Sequence, residues 1–171
     1  MQRVKRAAVS AVAAAMIAAS AGAAQTHKTI SDNDPDLVEI RQYRLTMDKV
    51  QRMADAMQEF NKMLAANPAL KKRMNEDGDN DGTIAEKAHE LEVKSPEAVA
   101  VLRSHGLSPR EYIVVSLAFM NDVMIVGMKK QGAIKEYPPK AITAENAAFV
   151  EANFDKLQEI SAKLSAPDDQ N

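Results

Sequence analysis

Asp77, Asp79 and Asp81 stand at alternate positions in Asp77-Gly-Asp-Asn-Asp-Gly-Thr-Ile84, a spacing that turns three carboxylates toward one hard cation. The chemistry that suits Asp77, Asp79 and Asp81 is Ca2+ binding. A second pattern is Glu86-Lys-Ala-His89, a carboxylate and an imidazole one helical turn apart, as in helix bundles that hold two iron ions. Such a site takes a second Glu-x-x-His pair, which the chain lacks, so a solvated helix face accounts for this one. The third pattern is methionine. Met53 and Met57, then Met120, Met124 and Met128, recur at intervals of four, so each set lies along one helix face. Clustered thioethers hold Cu(I), and the same residues also fill irregular gaps in helical cores.

The acidic segment resembles the first two thirds of an EF-hand calcium loop. Asp77, Asp79 and Asp81 match its first, third and fifth positions, Gly82 its turn, Thr83 its carbonyl ligand and Ile84 its apolar eighth position. The resemblance stops at the twelfth position, where Ala88 replaces the bidentate Glu. An acidic, glycine-rich turn capped by Thr83 is the simpler role for the same residues.

Enzyme chemistry finds little to work with. There is no Gly-x-Ser-x-Gly elbow, no His-Glu-x-x-His, no phosphate loop and no cysteine. Haem attachment through Cys-x-x-Cys-His and disulfide stapling are therefore impossible. His89 and His105 are isolated in sequence, and His105 precedes Gly106 at a helix end, where a cation satisfies the last carbonyls.

The start of the chain gives an address. Arg3, Lys5 and Arg6 precede an apolar run from Ala7 to Ala19, followed by the small residues Ser20-Ala-Gly-Ala-Ala24. That order is the signal-peptide pattern, with cuts after Ala23 or Ala24 both fitting the small-x-small rule. The run is 13 residues long and mostly alanine, whereas a membrane span takes about 20 apolar residues. Residues 1–24 are thus expected to be cleaved, delivering the protein to the periplasm or beyond the cell. Cleavage removes three cations and takes the formal charge from -2 to -5, which disfavours nucleic acid and anionic lipid as partners.

Helix signals fill the rest. Residues 25–36 read as a flexible leader and 166–171 as a disordered tail, with one helical domain at 37–165. Residues 37–43 show no clean period and suit either an extended stretch or a short helix. Thr46 caps a helix from Met47 to about Ala66, with Leu45 stapling onto Val50 and a stripe of Val50, Met53, Met57, Phe60 and Leu64. Asn67-Pro68 opens a shorter helix to Asn75. Thr83 and Glu86 form a capping box for a helix from Ile84 to about Val93, and Ser95-Pro96 opens another, to Ser104, which Gly106 stops. Ser108-Pro109-Arg-Glu111 combines a cap, a first-position proline and a second capping box. The helix that follows, to about Gln131, is apolar nearly all round, with Glu111, Asp122 and Lys129 on one narrow polar line. Thr143 caps the last helix, from Ala144 to about Leu164, striped by Ala147, Val150, Phe154, Leu157 and Leu164.

The expected fold is all-α: a small bundle of three long helices and two or three short ones, with the apolar helix 109–131 central. Met57, Phe60, Leu117, Phe119 and Phe154 are its expected core, and Leu117→Ala should cost about 2–5 kcal/mol. The apolar centre of 109–131 is short and carries Asn121 and Asp122, so no transmembrane segment is expected after cleavage. Either the monomer buries residues 113–128 entirely, or the surplus apolar surface binds a partner protein, an apolar ligand or a second copy of the chain. The expected role is non-catalytic binding in envelope maintenance or stress. The alternative is metal binding, with Ca2+ at the acidic loop ahead of Cu(I) at the methionines, and no other cofactor is implied.

Overall fold

The computed structural model describes residues 33–75 and 82–165. These form seven α-helices: α1 (Pro35–Gln42), α2 (Met47–Ala66), α3 (Pro68–Asn75), α4 (Ile84–Lys94), α5 (Pro96–Ser104), α6 (Pro109–Lys130) and α7 (Ala144–Ser165). Residues 1–24, expected to be a signal peptide, the expected tail and most of the acidic loop lie outside the described residues.

Local chemistry sets the boundaries. Thr46 Oγ1 accepts from the Lys49 N–H, Asn67 Oδ1 from Leu70, Ser108 Oγ from Glu111 and Thr143 Oγ1 from Asn146, each satisfying a helix N–H that has no partner within the helix. Around Thr83 the full capping box forms, with the Glu86 carboxylate reaching back to the Thr83 N–H at 2.7 Å. The box expected at Ser108 is only half made, because the Glu111 carboxylate accepts from the Tyr43 hydroxyl at 3.0 Å. At the other end of α5, Gly106 takes a φ of +70°, so that Leu107 N–H reaches Leu102 O and Gly106 N–H reaches Arg103 O. This is a Schellman stop, and Leu102 and Leu107 close it within the core.

Residues 35–42 are helical, and α1 begins inside the stretch that reads as a leader. Pro35 sits in its first turn and the Asp34 carboxylate caps it. Asp36 then accepts from the Ile84 N–H at 2.7 Å, placing a carboxylate at the start of α4. Glu39 pairs with Arg110, tying α1 to α6.

The apolar helix is central, as its composition requires. α6 packs against α1, α2, α4, α5 and α7, and α2 also touches α7, so the three long helices meet one another. The core gathers Val50, Met53, Leu107, Val115, Ala118, Phe119, Val126, Val150 and Leu157. Of the five positions expected to anchor it, only Phe119 is buried, while Met57, Phe60, Leu117 and Phe154 are half-buried. The apolar stripes are wider than the contact between helices, and these four fall on the flanks. By length and composition alone α6 could cross a bilayer, contrary to the short apolar centre expected of it, but half of its most apolar window is buried within the bundle.

Candidate functional site

The faces of α6 are the opposite of what a polar line implies. Asp122, in the middle of that line, is fully buried, and the wet side of the helix carries Met120, Met124 and Met128, which are 59%, 58% and 39% exposed. Val93 on α4 is the other large apolar side chain in the open among the described residues.

Asp122 is held by two side-chain amides. Asn121 Nδ2 donates to its Oδ1 at 2.9 Å, and Asn146 Nδ2 to its Oδ2 at 2.7 Å. The Asn146 amide is oriented by the backbone, since Nδ2 also donates to Tyr43 O and Oδ1 accepts from Leu45 N–H. Both carboxylate oxygens therefore face donors. Burial pushes the carboxyl up to about 6, and the two amide bonds pull the other way. This cluster joins α6, α7 and the 43–45 connection deep in the protein, where it serves cohesion.

The methionines line a groove between α6 and α7 with a volume of about 330 Å³. Its floor is Phe119, Val123 and Gly127, and its far side is Gln158 and Ser161 of α7, with Gln131 at one end. Gly127 has no side chain to fill the space, and Phe154 lies 3.6 Å from where a Cβ would be. Among the described residues the rim carries amides and a hydroxyl and no charge. Such a surface offers apolar contact and three thioether sulfurs.

A second groove, also about 330 Å³, runs between α1 and the 140–143 segment, with Val38 and Ile142 as its apolar members. Arg41 donates across it to Lys140 O at 3.0 Å, and Lys140 adopts a left-handed φ of 61°. The guanidinium is thereby committed to bracing a strained turn.

The sequence candidates fare differently. Asp77, Asp79 and Asp81 lie outside the described residues; Thr83, the fourth proposed ligand, serves as the α4 cap, and its carbonyl accepts the Lys87 N–H. Glu86 is occupied in the same box and His89 is exposed on α4. Among the described residues no three His, Cys, Asp or Glu side chains converge as metal ligands. The methionines divide: Met53 is buried in the core, whereas the α6 set is open. His105 is not isolated in space, since its Nε2 lies 2.9 Å from Glu59 Oε2, bridging α5 to α2 at the surface. Neither groove is lined by a histidine. Gln158 and Ser161 escape sequence reasoning because polar residues flanking an apolar stripe look like ordinary surface.

No family model, curated protein or solved structure matches the chain.

Proposed function

We propose that the chain is an exported, non-catalytic helical protein that holds the apolar side of a short amphipathic helix from a partner protein, using the methionine groove between α6 and α7. The observation that carries this reading is the exposure of Met120, Met124 and Met128 on the helix with the most buried residues. The stripe extends for two turns, about 12 Å at 1.5 Å per residue, matching the repeat of anchors along an amphipathic helix. A small molecule needs a site that encloses most of its surface, and this groove is an open trough. A folded partner normally buries about 800 Å² on each side, more than three half-exposed methionines supply. Methionine, unbranched and adaptable, suits apolar partners of varied shape, and Gln131, Gln158 and Ser161 add hydrogen-bonding groups to the same lining. Export rests on the pattern of residues 1–24; intact mass measurement of the protein from the envelope of its native host should show a start at Ala24 or Gln25.

Fluorescence titration of the full chain with a dansyl-labelled amphipathic Leu/Lys helical peptide tests the docking. Saturable binding that Met124→Lys weakens is the expected result, and binding indifferent to that substitution would defeat the reading.

The same exposure favours a second reading, in which the three thioethers hold Cu(I). The triple substitution M120L/M124L/M128L separates the two. It keeps an apolar trough and should keep peptide binding, but it removes the three groove sulfurs and should abolish Cu(I) uptake there in competition with a chromogenic chelator.

A further inference from the structure

Four large apolar side chains stand exposed among the described residues, and three of them are methionines on one groove. Leucine or isoleucine would give the same apolar contact. Methionine differs in carrying a sulfur lone pair that two-electron oxidants attack. The chain has no cysteine, so no thiol competes for the oxidant. Protection inside the protein is uneven: Met53 is 1% exposed, whereas Met120 and Met124 are more than half exposed.

We infer that the groove is an oxidation switch, in which conversion of the uncovered Met120, Met124 and Met128 to sulfoxides by peroxide or hypochlorous acid prevents the helix from docking; this rests on the docking reading above. In the peroxide reaction the Sδ lone pair attacks one peroxide oxygen, an S–O bond forms and the O–O bond breaks. The departing hydroxide takes up the remaining proton and leaves as water. Sulfur loses two electrons and the peroxide gains them. Each sulfoxide places a polar acceptor on a surface that binds by apolar contact. Gln131, Gln158 and Ser161 line the same groove and carry donors suited to those oxygens. None of the three methionines belongs to the core cluster, so the change is confined to the surface and the bundle stays folded. Sulfoxide reductases reverse the step.

The test treats the full chain with limiting hydrogen peroxide. Peptide mapping by mass spectrometry should find Met120, Met124 and Met128 oxidised well before Met53, with the far-ultraviolet circular dichroism and melting temperature unchanged. Binding of the dansyl Leu/Lys peptide should weaken by about tenfold or more and return after treatment with methionine sulfoxide reductases. Whatever its starting affinity, M120L/M124L/M128L should show no further change in peptide binding on peroxide treatment. Undiminished binding by the oxidised wild type overturns the switch and leaves the docking reading standing, as does loss of binding only through unfolding. Failure of the reduced wild type to bind overturns both.

Discussion

Asn146 Nδ2 and Asp122 Oδ2 meet at 2.7 Å with both side chains fully buried, joining α7 to α6. Through its other two bonds Asn146 also fixes the backbone of Tyr43 and Leu45. Asn146→Ala leaves a buried N–H, a buried carbonyl and one carboxylate oxygen without this partner. It is expected to lower stability by about 2–4 kcal/mol, since each orphaned group costs roughly 1–3 kcal/mol. A urea unfolding midpoint moved by only a few tenths molar would show that the amide is dispensable.

The same pair gives stability a pH dependence. Burial raises the Asp122 carboxyl to about 6 in the folded protein, above its ordinary value. A raised acid favours the protonated folded state, so its contribution is complete below the ordinary aspartate range and is lost as pH rises through about 6. The urea midpoint should therefore increase on acidification across that window, until the exposed carboxylates begin to titrate. In Asp122→Asn this component should vanish, although the new amide sets one N–H2 against a neighbouring donor and lowers stability throughout. An identical pH profile in the variant would assign the dependence to other groups.

Core substitutions should follow burial more closely than apolar pattern. Leu157 is fully buried, and Leu157→Ala is expected to cost about 2–5 kcal/mol. Leu117 is half-buried on α6, so Leu117→Ala should fall below that range, in contrast to the expectation from sequence. Thermal melts of the two variants side by side decide the order.

Gly127 lies inside α6, and a methyl group there would meet Phe154 at 3.6 Å, an ordinary contact. Alanine is favoured over glycine in helix interiors by about 1 kcal/mol. Gly127→Ala should therefore raise stability by about 0.5–1 kcal/mol, and a lowered melting temperature would reveal tighter packing against Phe154.

Helix ends were legible from sequence because Thr46, Asn67, Thr83, Ser108 and Thr143 act on N–H groups a few residues away. Asp34 and Pro35 cap α1 by the same local rule, but they sit in a run of polar residues that also reads as a leader. Side-to-side placement along α6 was not legible. A helix apolar nearly all round has no periodicity to mark its wet face, so the pattern alone does not place Asp122 inside or the methionines outside. Only the docking of α1, α2, α4, α5 and α7 decides this. The same tertiary choice brings Gln158 and Ser161 to the groove and His105 to Glu59, across separations that no local pattern records.

Methyl NMR of the full chain carrying 13C-methyl methionine tests the docking claim most directly, because each methionine reports from its own place. On titration with the amphipathic Leu/Lys peptide, the Met120, Met124 and Met128 methyl signals should shift together and saturate, while Met53 stays fixed in the core. Stationary signals from these three, with or without shifts elsewhere, would contradict the groove as the binding surface.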